Sequence, residues 1–398
     1  MKVIYKTYYF RLKPTRAQQE LLEKHFGCMR FVYNHFLNQR KEQYGSTGRS
    51  DGYNQQAKSL TDLKKQEDTV WLNEINSQSL QFALRCLDTA YLKFYSGKSG
   101  FPRFKSKRGK NSFTVPQNIT LSEGKLSVPK FKEGIRCIVH RKMEGDIRRV
   151  TFSRTSTGKY NVSILTQQLY QPRPKTGGQV GVDLGINHLI VTSDAEYFKN
   201  NRYTRKYERS LARAQKDLSR KQKGSHSYEK QRRKVARIHE KIRNARRDWL
   251  HQISRRLVNQ NDVIVIEDLG IVYMMANSKL AKHIADGSWG TFVEFLEYKA
   301  DWDDKQVIKI DRFYPSSKTC NKCGWINKDL KLSTREWRCP NGHHLQRDEN
   351  AAINILKKGL RMASSGTGDY TDGDDVRSGN TQLSEKSEAY SSAMPWVG

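Results

Sequence analysis

Apolar positions change period several times along the chain, and each change marks an element. Val3, Tyr5, Tyr8 and Phe10 alternate weakly through residues 1–12, the two-residue period of a strand. Lys13-Pro14-Thr15 interrupts the pattern, and Thr15 is an N-cap candidate for a helix through Gln18, Leu21, Leu22 and Phe26. Helical spacing returns over 31–37, and after a Gly/Ser loop at 45–52 it runs through about 56–68 and 74–95. Strand-like runs then follow at 119–121, 125–128, 135–139, 150–153 and 160–165. Glu123-Gly124 and Thr157-Gly158-Lys159 supply turns between them. These short strands predict a small β-barrel that the N-terminal strand joins. Pro172, Pro174, Gly177 and Gly178 mark a linker.

Beyond the linker, Gln179-Val180-Gly181-Val182-Asp183-Leu184-Gly185-Ile186 reads as a buried strand with one carboxylate in its middle. It turns at Asn187-His188 into 189–192, a hairpin. Val235, Ile238, Ile242, Ala245, Trp249, Ile253 and Leu257 then recur at helical spacing. Lys223-Gly224-Ser225-His226-Ser227 breaks the segment in two, so 202–259 is expected to be a helical hairpin inserted between strands. A second apolar run, 263–266, ends in Glu267. Residues 270–287 read as a loop suited to a lid. A helix through Phe292, Phe295, Leu296 and Lys299 and a strand over 307–310 follow. Asp348 opens a last helix.

Charge changes the picture. The 398 residues hold 72 Lys+Arg against 41 Asp+Glu, a net charge of +31, so a polyanion is the expected partner. A membrane surface is the rival. No apolar run approaches the length of a spanning helix, and MKVIYKTYYF lacks the apolar core of a signal peptide, so a cytoplasmic nucleic-acid-binding protein is expected. Residues 202–256 carry 20 Lys+Arg against 5 Asp+Glu, and the apolar seam of that hairpin should dock it with its charge outward. In GKSGFPRFKSKRGK, residues 97–110, six basic residues surround Phe101 and Phe104. Basic groups there, Arg103 and Lys105 among them, suit phosphates, and the aromatic rings suit bases. The other reading is a solvated loop with its phenylalanines tucked into the core. The tail, 361–398, is rich in Ser, Gly, Thr and Asp and is expected to be disordered.

The candidate chemistry is of two kinds. Asp183, Glu267 and Asp348 would place two carboxylates on adjacent strands and a third at a helix start. Oxygen donors grouped in this way bind divalent cations, and a two-metal site hydrolyses phosphodiesters. Singly, each has another reading: a satisfied core polar group, a strand end and an N-cap. Cys320-x2-Cys323 and Cys339, with His343 or His344 beyond, have zinc-knuckle spacing, and Cys339-x3-His343 is the tighter fit. Cys28, Cys86 and Cys137 are scattered and read as free thiols.

GVDLGI, VIVIEDLG, RFYPSSKTCNKCG, REWRCP and RDENAAINIL occur in this order, after FRLKPTRAQQ, RFVYNHFL and GFPRFKSKR. Over roughly 1–360 the chain resembles the TnpB family, transposon-encoded relatives of the type V CRISPR effectors. The resemblance implies an α/β chain with four parts. A wedge-like β-barrel would comprise 1–12 and 112–175, and a helical recognition domain 13–110. An RNase H-like RuvC nuclease domain would take 176–318 and 344–360, with a zinc-finger insertion at 319–343. It also implies an RNA-guided DNA endonuclease that cuts double-stranded DNA with Mg²⁺ (or Mn²⁺) at Asp183, Glu267 and Asp348. Its partners would be a transposon-derived guide (omega) RNA, bound by a monomer, and a target carrying a short adjacent motif. Tyr53 and Gln81 fall where a family member contacts that motif. Two departures stand out. Gly342 replaces a fourth cysteine, and Gln346-Arg347-Asp348 replaces Asp-Arg-Asp. A guided DNA-binding protein without cleavage, or an RNase H-like transposase, are the alternatives.

Overall fold

The computed structural model describes residues 1–365 apart from 272, 273, 275, 277 and 332. They form two compact units, Val3–Leu169 and the chain from Tyr170 on together with Met1 and Lys2.

In the first unit, β1 (Lys2–Lys13) leads into α1 (Arg16–Thr47). Thr15 caps it as expected. Its hydroxyl accepts from the Gln18 N–H, and the Gln18 side chain reaches back to the Thr15 N–H. Next come α2 (Tyr53–Leu63), a 3-10 segment (Glu67–Glu74) and α3 (Ser77–Tyr95). Six strands follow: β2 (Asn111–Val115), β3 (Thr120–Ser122), β4 (Lys125–Val128), β5 (Phe131–Ile138), β6 (Asp146–Arg154) and β7 (Tyr160–Tyr170). With β1 they make one sheet in the order β2-β6-β7-β1-β5-β4-β3. The barrel expected here is thus a seven-stranded sheet whose end strands, β2 and β3, do not pair with each other among the described residues. Phe26 and Phe36 of α1 and Leu84 of α3 share one core with Phe10, Phe113 and Phe152 of the sheet. The helical segment expected over 13–110 and the sheet are therefore one body.

His25 sits in that core, stacked 4.6 Å from the Phe113 ring. Its Nδ1–H donates to the Leu21 carbonyl at 2.8 Å, and Nε2 accepts from the Asn76 N–H at 3.4 Å. Both nitrogens are satisfied only in the neutral ring, and burial pulls the pKa down to about 4. The unfolded chain therefore protonates first. The stabilisation is complete above the unfolded value and is lost as pH falls from about 6.5 toward 4, amounting to about 2 kcal/mol at pH 5. Urea melts at pH 7.5 and 5 should show that loss for the native chain and a smaller one for His25→Gln.

The second unit opens with β8 (Gln179–Leu184), β9 (His188–Thr192) and β10 (Tyr197–Lys199). The basic hairpin follows as α4 (Tyr203–Ser219) and α5 (His226–Gln260). Then come β11 (Val263–Glu267), α6 (Ser278–Gly287), α7 (Trp289–Trp302) and β12 (Gln306–Ile310). A small ribbon, β13 (Glu336–Arg338) with β14 (His344–Gln346), precedes α8 (Arg347–Ser364). The sheet order is β10-β9-β8-β11-β12. The first three strands are antiparallel, while β11 runs parallel to both β8 and β12. That is the RNase H-like topology.

Strand alternation sorts the two faces. Val180, Val182, Ile264 and Ile266 pack with Leu250, Ile253 and Leu257 of α5 and Phe292 and Phe295 of α7. Val265 and Ile310 pack with Ile355 of α8 on the other side. Gly181 belongs to this second face. A methyl group there would overlap the Ala352 carbonyl oxygen and lie 2.8 Å from the Leu356 nitrogen, so only glycine lets α8 lie on β8.

Two expectations are corrected. The 270–287 stretch contains a helix, α6, rather than loop throughout, because Ser278–Gly287 is strongly amphipathic. The last helix continues through Ser364, past the start of the tail expected at 361. Beyond 365 the tail lies outside the described residues. Among the described residues no helix is long and apolar enough to cross a membrane.

Candidate active site

The register of β8 and β11 decides where two of the acids stand. Ile266 is paired with Val182, so Glu267 and Asp183 come next on adjacent parallel strands. Both share the face of Gly181 and Val265, the face that α8 covers. Asp348 lies in the first turn of α8, where an acidic side chain suits the helix dipole. Asp183 lies within electrostatic reach of the other two carboxylates. Burial first, then the charges of Glu267 and Asp348, push Asp183 up to about 8, with Arg347 and the Leu184 N–H acting against them. Burial also raises Glu267, which the Ser316 hydroxyl partly offsets. Arg335 stands 3.6 Å from Asp348. The next acid along, Asp268, is held by Arg312 at 2.6 Å. Asp183, Glu267 and Asp348 thus offer carboxylate oxygens, the donor type a divalent cation takes, on the side of the sheet that α8 covers.

A second cluster lies in the β13–β14 region. Ligand atoms of Cys320, Cys323, Cys339 and His343 all fall within 4.8 Å of one another. The Cys323 and Cys339 sulfurs are 3.8 Å apart, and His343 Nδ1 is 3.2 Å from Cys339 Sγ and 3.6 Å from Cys320 Sγ. A tetrahedral zinc with bonds of about 2.3 Å to sulfur needs sulfurs about 3.8 Å apart, so the donors fit. The Trp325 N–H, and then the neighbouring thiols and His343, hold Cys323 down at about 6. His344 points elsewhere, to Glu336 at 3.3 Å.

The predicted nucleic-acid contacts lie in the Val3–Leu169 unit. Tyr53 opens α2, with the Arg85 guanidinium 5.4 Å over its ring. Gln81 is exposed on α3. Phe101 is 44% exposed yet sits edge-on to Tyr91 and Phe94. Phe104 is 51% exposed beneath the Lys41 ammonium. Arg103 is exposed. Lys105 is more engaged than expected. Its backbone pairs with the Asn34 side chain at 2.8 and 2.9 Å, and its ammonium lies 3.8 Å from the Tyr33 ring centre.

Three family models match the chain: "Probable transposase" over residues 156–278, "Cas12f1-like, TNB domain" over 289–355, and "Helix-turn-helix domain" over 1–49. A Streptomyces pristinaespiralis protein named as a candidate RNA-guided DNA endonuclease is 37% identical over 99% of both chains. The chain belongs to the TnpB family. Escherichia coli K12 InsQ, also named as a candidate RNA-guided DNA endonuclease, is 33% identical, over 90% of this chain and 93% of its own. The mimivirus TnpB-like protein L79 is 24% identical over 88% and 72%. A Cas12f1–sgRNA–target DNA complex aligns at 12% identity and TM-score 0.48, covering 89% of this chain and 99% of that one. The stretch matched as helix-turn-helix is β1 followed by the single helix α1.

Both departures from the TnpB pattern now have a place. Gly342 lies in the turn before His343, whose Nδ1 joins the three sulfurs as the fourth member of the cluster. Gln346 does not leave a gap, because its amide donates to Glu336 at 2.6 Å. Sequence reading missed Ser316, Asn350 and Asn354. Ser316 bonds Glu267, and the two asparagines, 1% and 3% exposed, bond the backbone around it. Their signal was two polar residues four apart on the apolar side of an amphipathic helix.

Proposed function

We propose that this chain is an RNA-guided DNA endonuclease with one hydrolytic site, Asp183, Glu267 and Asp348, loaded with Mg²⁺ or Mn²⁺. The observation that carries the reading is the placement of Asp183 and Glu267 side by side on adjacent parallel strands of an RNase H-like sheet, with Asp348 at the head of the helix that covers them and its charge felt at Asp183. Identity to the Streptomyces and E. coli proteins along nearly their whole length supports it.

Asp183 is fixed by the β8 ladder, Glu267 by the end of β11 and Ser316, and Asp348 by the first turn of α8. When bound, the metal supplies an activated water and charge stabilisation for the leaving oxygen. The chain's own part is to hold three oxygen donors in place beside a phosphate. The basic faces of α4 and α5 bind backbone charge, and guide pairing supplies sequence specificity. In the same reading, the wedge role falls to the β1–β7 sheet, and the recognition role to α1–α3 with 97–110. Tyr53 and Gln81 face the adjacent motif. Phe101, Arg103, Phe104 and Lys105 face guide or target.

The test is to sequence RNA that co-purifies with the chain and offer it a plasmid matching that guide. RNase-sensitive cutting is expected. RNA-independent strand transfer would instead favour a transposase, the activity the 156–278 family model is named for.

Cys320, Cys323, Cys339 and His343 are proposed to hold one zinc. Elemental analysis should find about one zinc per chain, lost in His343→Ala and kept in His344→Ala. The reverse pattern would move the fourth ligand to His344.

A further inference from the structure

Glu267 ends its strand, and a glutamate there has three side-chain torsions to settle before it can face a cation. Its Oε1 accepts a 2.5 Å hydrogen bond from the Ser316 hydroxyl, and Ser316 is only 7% exposed. A serine in a tight loop ordinarily returns its hydroxyl to a nearby carbonyl. Thr319, three residues on, does so to Pro315 at 2.8 Å. Ser316 instead spends its donor on the carboxylate.

The loop that carries Ser316 is held from α8. Asn354 Nδ2 donates to the Ser316 carbonyl at 2.8 Å and to the Thr319 carbonyl at 2.6 Å. Asn350, one turn earlier, donates to Thr319 at 2.7 Å and accepts from the Asn321 N–H at 2.9 Å. Buried amides of this kind are costly unless every bond is made, and these bonds are all to one loop. The same helix carries Asp348. Helix, loop and strand end are thus joined by hydrogen bonds, and Glu267 is set relative to the helix of Asp348 through Ser316.

We propose that Ser316 is a positioning residue for Glu267, holding its carboxylate in the orientation that meets the divalent cation, with Asn350 and Asn354 fixing Ser316 from the helix of Asp348. The proposal rests on the three acids being a metal site. Outer partners of ligating carboxylates are worth about 10–100-fold in metal affinity.

The experiment measures Mn²⁺ binding to the full-length, nucleic-acid-free chain by electron paramagnetic resonance, alongside guided cleavage across a Mn²⁺ series. Ser316→Ala should weaken Mn²⁺ binding by about tenfold. The half-saturating Mn²⁺ for cleavage should rise equally, with little change in the rate at saturating Mn²⁺. Its melting temperature in EDTA should match the native chain. Ser316→Thr, which keeps the hydroxyl, should restore binding, while the similarly shaped Ser316→Val should not. That pair separates the hydrogen bond from packing even where Ser316→Ala is unstable. Native Mn²⁺ affinity in Ser316→Ala or Ser316→Val overturns the proposal. If Asp183→Ala changes neither Mn²⁺ binding nor cleavage, the metal-site reading itself falls and takes the proposal with it. The two failures are therefore told apart by which variant binds normally.

Discussion

Asp183→Ala abolishes cleavage while guide-dependent DNA binding persists. The expected loss is on the order of 10⁴-fold, the scale on which one member of a catalytic group that acts as a unit is felt. Asp183 stands on the central strand of the RNase H-like sheet, and its charge is the one most perturbed by the other two. Removing it takes away the carboxylate that lies between the other two in the proposed site and weakens and misplaces the cation they hold. Binding survives because it draws on other residues. A net charge of +31 and pairing by the guide do not pass through this carboxylate. Gel-shift and plasmid-cutting assays on the same preparation check both halves. Residual cutting near the native rate would remove Asp183 from the site, and a matching loss of binding would make its role structural.

Gly181→Ala should damage both stability and activity. The added methyl meets backbone, the Ala352 carbonyl and the Leu356 nitrogen, and no side chain can swing aside to admit it. Helix α8 must lift from β8. Overpacking of this kind costs about 1–3 kcal/mol or more. The helix carries Asp348, so the carboxylates separate as it lifts. A displacement near 1 Å at a reacting centre costs about 10²-fold in rate. Thermal melts should show a lower midpoint, and the folded fraction should cut roughly a hundredfold more slowly. Native cutting by this variant would mean that α8 does not set Asp348 against Asp183.

Much of this site was legible because strands announce which way their residues face. Asp183 and Glu267 each follow a run of branched apolar residues, so the period of two assigns both to defined faces from sequence alone. Asp348 was visible as an acid at the head of an amphipathic helix. The knuckle followed from cysteine spacing. What the pattern could not carry is bonding to backbone. Asn350 and Asn354 act on carbonyls of residues more than thirty positions away, and no periodicity records that. Ser316 was hidden because a serine beside a proline reads as a turn, and its bond to the Glu267 carboxylate spans 49 positions. The 97–110 loop shows a different limit. Composition marks it as a nucleic-acid segment, yet Lys105 is tied to Asn34 and Tyr33, and Phe101 leans on Tyr91 and Phe94. Charge and aromatic content alone do not say which groups are spent on folding. The expected barrel, and the division between 13–110 and 1–12 with 112–175, met a similar limit. Alternation identifies strands but not whether the sheet closes, and the helices and sheet proved to share a core.

The measurement closest to the central claim is an anomalous-scattering map of the protein crystallised with Mn²⁺. The account predicts manganese density touched by Asp183, Glu267 and Asp348 together, beside a loop in which Ser316 still bonds Glu267. Manganese bound elsewhere, or any of the three carboxylates outside its coordination, would contradict it.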